Sequence, residues 1–443
     1  MILGMKTEEC ITYILNEAHR KNCQADVLVS KIENIIVNTR NLVVEKLEES
    51  SFSGLTFRLI KDKRSTSVQC NTSANLKQMF SRALESLEHV PEDQYISLPE
   101  HSHHVSNTGN ISDNIGIADI LKELAIKTEQ SAYSEGKLKT TEKIEFEAKT
   151  IEKILANTNG FFGTFDTQIF SGAVTVVAEA EGNLNSGFSY LSSNILTDLN
   201  PNELGKEAAK RAFEGLKPRK IQTCKREVIF DFRCASNFLS NFGDFLSGAS
   251  VARSATFLKD QMEQSILPRS ISIFNNPLGE QCRIKTSDFD DEGNTTINKL
   301  PLVENGVLKR WILDQYNANK LNLPPNGLGK RSLNGSIYPS ITNIYLESTD
   351  DISEAELISQ VKEGLYVTNL FSCGVNPITG DYSQGVQGVW IENGELSFPV
   401  SEITIAGKLI DVFKEMVAAN NLKFFGRSNS PSLFLGKMMI SGI

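Results

Sequence analysis

At 443 residues with 40% apolar side chains, the chain is too long for one ordinary core and apolar enough to bury two or three. Its 45 Lys and Arg against 54 Asp and Glu leave a formal net charge of −9. That balance disfavours a phosphate-tracking nucleic-acid surface, and no basic patch is concentrated along the sequence. No apolar run approaches the ~20 residues needed to span a bilayer. The opening MILGMKTEEC has neither a basic n-region nor an apolar h-region, so a cytoplasmic location is expected. The seven cysteines are scattered without a C-x-x-C pair and read as reduced thiols. No histidine follows His104, so chemistry housed beyond it cannot use an imidazole as base or ligand.

Residues 7–21 carry Ile11, Ile14, Leu15 and Ala18 at the spacing of an amphipathic helix. Extended segments follow at 26–32, 34–39, 42–47, 55–60 and 66–70, and a second helix is predicted over Ser73 to His89. The same order then recurs. A helix over 117–133 precedes extended segments at 143–149, 151–158, 164–168, 173–180 and 187–192, and Asn200-Pro201 opens a helix over 203–216. The residues agree as well as the order. Phe52-Ser53-Gly54 matches Phe170-Ser171-Gly172, and Arg82-Ala83-Leu84-Glu85 matches Arg211-Ala212-Phe213-Glu214. Two copies of one α+β unit are therefore expected, each an antiparallel sheet backed by its own helices.

Between the copies, Pro91 to Asn114 is rich in Pro, His, Ser and Asn and reads as a long loop or linker. It holds His101, His103 and His104, imidazoles that can take up adventitious metal. Adjacent residues in a polar loop lack the rigid second shell of a native site. From Cys224 the texture changes: a strand over 226–232, a helix over 235–247, and mostly strands from Ser270 on. Short helices are expected over 353–364 and 408–417. Asn305-Gly306 and Asn393-Gly394 each mark a hairpin, and the two hairpins are expected in one antiparallel system. The fold class is α+β. Duplicated N-terminal α+β units at 1–95 and 115–223, joined by a linker over 96–114, precede a β-rich C-terminal domain over 224–443.

No complete catalytic constellation is visible. There is no G-x-S-x-G elbow and no phosphate-binding P-loop. Ser287 to Gly293 gathers four carboxylates, a set that suits either a hard cation or an acidic turn whose aspartates cap neighbouring amides; its spacing is not that of an EF-hand. The most constrained stretch is Gly374 to Gly388, which reads as a glycine-rich loop entering the 393–394 hairpin. It presents Asn376, Thr379, Asp381 and Tyr382 as candidates to line a peptide cleft or an interface. A purely structural loop with satisfied side chains is the alternative.

The blocks GVNPITGDYS (374–383), WIENGE (390–395), PVSEITIAG (399–407), FDDEG (289–293) and Ser430-Pro431-Ser432 resemble the PmbA (TldE) branch of the TldD/PmbA metalloprotease family, also labelled modulator of DNA gyrase. The resemblance covers essentially the whole chain. It implies a cytosolic protease in which a TldD-type subunit holds zinc on a His-Glu-x-x-x-His helix with a cysteine near the C-terminus, and pairs with a PmbA-type subunit to cleave flexible peptides. Here the segment corresponding to the zinc helix, around Cys234 to Ser250, contains neither His nor Glu. Gly426-Arg427-Ser428-Asn429 likewise stands in the region of the ligand cysteine without a thiol. The resemblance thus implies a subunit with no catalytic residues, metal or cofactor of its own, zinc being expected only in the partner. Such a subunit would form a heterodimer with a TldD-type chain, or a homodimer in isolation, and would act on unstructured peptides without nucleic acid or membrane. A self-sufficient peptidase with unrecognised residues and a gyrase-associated binding protein are the alternatives.

Overall fold

The computed structural model describes residues 7–71, 75–100, 104–108, 111, 114–279, 281–332 and 334–442. Ser73, His101 and His103 lie outside them. The first unit begins with α1 (Thr7–Arg20), whose Ile11, Ile14 and Ala18 are buried and whose acidic first turn and basic last turn suit the helix dipole. Strands β1 (Gln24–Arg40), β2 (Val43–Lys61) and β3 (Arg64–Cys70) follow, then α2 (Leu76–Leu87), capped by the Asn75 side chain. After the short β4 (His104–Thr108), the second unit repeats the plan with α3 (Ile117–Ser134), β5 (Leu138–Asn157), β6 (Phe162–Ala180), β7 (Asn183–Ser193) and α4 (Pro201–Glu214). Asn200 caps α4 and Pro201 opens it.

Two expectations are corrected. The short extended segments fuse into long strands, because half-buried polar residues in the middle of β1 interrupt the apolar pattern without interrupting the strand. The two units also do not keep separate sheets. β1 pairs antiparallel with β5 from Asp26↔Asn157 to Thr39↔Ile144, so one seven-stranded sheet runs β3-β2-β1-β5-β6-β4, with β7 also on β6. Each three-stranded meander alone would leave a long edge of unpaired amides and carbonyls, and joining β1 to β5 removes both edges at once. The helices of each unit cover one face of the sheet. At the start of β1, Ala25, Val27 and Val29 face those helices. Leu28 belongs instead to a small cluster with Leu155, Phe161 and Phe289 that joins the sheet to the C-terminal domain.

That domain opens with β8 (Cys224–Phe230), followed by α5 (Phe232–Ser240), α6 (Phe242–Phe245) and α7 (Gly248–Ala252). Next come β9 (Ile271–Asn275), β10 (Leu300–Glu304), β11 (Val307–Leu308), α8 (Gln315–Leu321), β12 (Gly329–Arg331), β13 (Ile337–Pro339), β14 (Ile344–Ser348) and α9 (Glu354–Ser359). The chain continues through β15 (Glu363–Asn376), β16 (Asp381–Glu392), β17 (Glu395–Lys408), α10 (Leu409–Glu415), β18 (Val417–Ala418), β19 (Ser428–Asn429) and β20 (Leu433–Ser441). Strands β17-β16-β15-β8-β20 pair in that order, and β20 pairs again with β17, which closes a ring. A second sheet runs β11-β10-β9-β14-β19. The two Asn-Gly hairpins therefore lie in different sheets, against the expectation of one system. The main core fills the space between ring and helices, with Phe230, Phe238, Phe242, Phe245 and Phe413 each at most 1% exposed. Among the described residues, no helix is long and apolar enough to cross a membrane.

The glycine-rich stretch is also corrected: it is strand rather than loop. Residues 374–376 close β15, 381–388 belong to β16, and only 377–380 turn. Gly388 sits at a break in the β15–β16 register, where a Cβ would stand 2.1 Å from the Tyr366 carbonyl oxygen. Glycine there serves the close approach of two backbones.

Candidate functional site

The strand-to-helix passage from β8 to α5 meets the second N-terminal unit, and ion pairs gather there. Asp231 caps α5 by accepting from the Cys234 amide at 2.7 Å, and its other oxygen accepts from Arg211 of α4 at 2.5 Å. Arg233, the second residue of the helix, grips Glu207 of α4 with two nitrogens, at 2.8 and 2.5 Å. Its guanidinium also donates to the Tyr190 carbonyl and lies 4.9–5.3 Å from the ring centroids of Tyr190, Phe232 and Phe425. Burial alone would raise the Glu207 carboxyl, but the Arg233 hydrogen bonds and charge, with Arg211, outweigh it and hold Glu207 below its ordinary value. Burial likewise opposes the charge on Arg211, and Asp231 more than restores it.

These pairs form a wall of a cavity of about 880 Å³ between α4, the β8–α5 passage and residues 423–425. Arg283 reaches in from another side, paired with Asp198 at 2.7 Å, and Tyr366 donates to Glu354 at 2.7 Å on the far wall. A cavity of this size, mixing aromatic rings with both signs of charge, has room for several residues of an extended peptide.

The two segments that the sequence resemblance singles out, 234–250 and 426–429, meet beside this cavity. The Ser430 amide donates to Ser236 of α5 at 2.8 Å, and Asn429 ties residues 425–429 into a tight turn. Zinc does not fit what they offer. The one thiol, Cys234, is buried and pushed well above its ordinary pKa by that burial and by Asp231. Ser236 already bonds the Phe232 carbonyl, and neither segment contains a histidine. A zinc site wants about three nitrogen, sulfur or carboxylate donors converging on one point. Among the described residues, no group of three or more His, Cys, Asp or Glu is placed to hold a metal ion.

The predicted loop residues fall elsewhere. Asn376 accepts from the amides of Ile378 and Thr379, Thr379 donates to Asp381 at 2.6 Å, and Asp381 pairs with Lys408 at 2.6 Å. These three form the exposed tip of the β15–β16 hairpin. Tyr382 instead points inward, 3% exposed, with its ring against Phe238. Tyr366, which lines the large cavity, is ten residues back along β15, roughly 30 Å of strand. The acidic turn is a capping device: Asp290 accepts from the amides of Glu292, Asn294 and Gly329. Its neighbours form a second charged joint, between the first unit and the C-terminal domain. Arg58 bonds Asp26 at 2.8 Å and Glu292 at 3.3 Å, and Arg331 pairs with Asp26 at 2.7 Å. Neither Glu207 nor Arg233 stood out in the sequence, because their meaning arises only where α4, β7 and residue 425 converge.

Comparison with known proteins agrees with this architecture. Residues 25–87, 112–216 and 223–442 match, in turn, domain 1, the central domain and the C-terminal domain of PmbA/TldA metallopeptidases. A metalloprotease PmbA homolog of Buchnera aphidicola subsp. Baizongia pistaciae is 31% identical over 72% of this chain and 70% of its own. Among solved structures, a candidate modulator of a DNA gyrase from Thermotoga maritima MSB8 superposes with a TM-score of 0.88 at 22% identity, covering 98% of this chain and 100% of that one. TldE from Thermococcus kodakarensis does so at 0.86 and 18% identity, with coverage of 98% and 100%. The chain belongs to the PmbA/TldA metallopeptidase family, in its PmbA (TldE) branch.

Proposed function

We propose that this chain is the non-catalytic subunit of a two-subunit cytosolic metalloprotease that processes flexible peptides. A TldD-type partner would supply the zinc and this chain part of the peptide channel. One observation carries the reading. In and beside the segments that the resemblance sets against the zinc ligands, this chain has a Ser236–Ser430 hydrogen bond and, next to it, the Arg233–Glu207 pair packed in aromatic rings, which supports a subunit without its own metal. The cavity alongside is large enough to take an extended peptide, which its paired charges and aromatic rings would orient. The exposed tip at Asn376, Thr379 and Asp381 is a second, separate contact for the partner or its peptide.

The test is reconstitution. The chain purified without chelators should carry no stoichiometric zinc by elemental analysis and should not cleave unstructured peptides. Chelator-sensitive cleavage should appear on mixing with a TldD-type subunit from the same organism. Zinc bound one per chain, or cleavage by the chain alone after contaminating proteases are removed, would favour a self-sufficient peptidase instead.

A further inference from the structure

The sequence has no concentrated basic patch, but the fold makes one. Lys153 of β5, Lys285 beyond β9, Lys330 of β12 and Arg427 just before β19 converge on a cavity of about 130 Å³ between the N-terminal sheet and the C-terminal domain. Two carboxylates also line it, and both are committed to the protein. Asp291 is paired with Lys153 at 2.6 Å and accepts from the Arg331 amide, while Asp290 holds the three amides of its turn. Among the described residues, the side chains of Lys285, Lys330 and Arg427 have no ion-pair or hydrogen-bond partner. An acidic chain has thus gathered three uncommitted cations around one small space, each of them also exposed to solvent at its mouth. The crowding is felt: Lys153 foremost, then burial, then Arg427 and Lys149 hold the Lys330 ammonium below its ordinary pKa against the pull of Asp291. Partial loss of hydration against the protein does the same to Arg427, although its side chain is exposed.

We infer that this cavity is a binding site for a small oxyanion, a carboxylate or phosphate group, held by Lys285, Lys330 and Arg427. Its size limits the ligand. At ~30 Å³ per water it holds about four, well below the ~300 Å³ at which pockets for whole small molecules begin. One charged group enters, and a nucleotide does not. Hydroxyls of Thr167 and Ser340 on the lining add neutral hydrogen-bonding groups. The cavity adjoins the large one along two shared segments: Arg283 and Phe425 line the large cavity, and Lys285 and Arg427, each two residues on, line the small one. The inference stands on these cations and does not require the chain to be a protease subunit.

Calorimetric titration of the full chain decides it, with three probes: inorganic phosphate, an N-acetylated dipeptide with a free C-terminal carboxylate, and the same dipeptide as its amide. Phosphate or the free acid should bind, more weakly as salt is added, and the amide should not. Lys330→Ala with Arg427→Ala should weaken that binding by about tenfold or more. Binding of phosphate alone or of the acid alone supports the site and identifies the source of the anion. No binding by either, equal binding of acid and amide, or unchanged binding in the double variant overturns it. Should the double variant fail to fold, Lys285→Glu alone reads the same loss.

Discussion

Each N-terminal unit meets the C-terminal domain through arginines and carboxylates, yet the two joints differ in their access to water. In the first, the side chains of Asp26 and Glu292 are 0% exposed, Arg58 10% and Arg331 1%. In the second, Arg233 is 12% and Glu207 30% exposed, on the wall of an open cavity. Taking charges wholly out of water costs about as much as their attraction returns, so the first joint contributes mainly a specified way of docking one unit on the other. The second keeps one side hydrated, and its groups remain available to an incoming ligand. The same residue types thus serve assembly at one joint and stay within reach of a ligand at the other.

The largest effect should come from Arg58→Ala, which leaves Glu292 without its arginine and Asp26 with Arg331 alone. A loss of about 3–5 kcal/mol is expected in urea unfolding. Arg233→Ala removes the two-nitrogen grip on Glu207 at a partly hydrated site and should cost less, about 1–3 kcal/mol, with a larger relative loss of turnover in the reconstituted pair. Equal stability losses would break the comparison between the joints.

Titration sharpens it further. Burial first, then Asp290 and Asp314, push Glu292 from 4.5 up to about 8 against the pull of Arg58. The folded chain keeps a proton that the unfolded chain releases, so this group's contribution to stability is largest in acid and falls as pH rises from about 4.5 to about 8. Glu292→Gln should flatten the pH dependence of the unfolding free energy across that window, by up to ~1.4 kcal/mol per pH unit. A pH profile parallel to the parent's would mean that Glu292 is ionised in the fold.

The smallest effect belongs to Asp381→Ala at the hairpin tip, where the pair with Lys408 is exposed. The thermal midpoint should not move, while pairing with a TldD-type subunit or peptide turnover should fall. Unchanged pairing and turnover would leave the tip as a turn that only seats Phe257, whose amide donates to the Pro377 carbonyl.

What the sequence makes legible is what neighbours along the chain decide. Ile11, Ile14 and Ala18 mark α1, Asn200-Pro201 opens α4, and Asn393-Gly394 turns with both φ angles positive. The duplication is legible too, with Phe52-Ser53-Gly54 and Phe170-Ser171-Gly172 on the middle strands of their meanders. The merger of the two sheets is not, because no local signal says that β1 will find β5. Gly388 misleads for a related reason: a glycine needed by a neighbouring strand reads locally as a loop residue. Segments 234–250 and 426–429, which the resemblance singles out, do lie in contact, whereas Glu207, Arg233 and the cations of the small cavity are scattered over the chain and meet only in the fold.

The closed ring has a kinetic consequence. β8 pairs with β20, Cys224 lying opposite Ile440, so the strand that opens the C-terminal domain waits for the one that ends the ring. The entropy of closing so long a loop grows only with the logarithm of its length, but contacts this distant along the chain form late and slowly. During synthesis the β8 edge and the far edge of β17 remain open until β20 emerges, a window in which either edge can capture another chain. Folding yield should therefore fall with concentration more steeply than the stability of the finished ring would suggest.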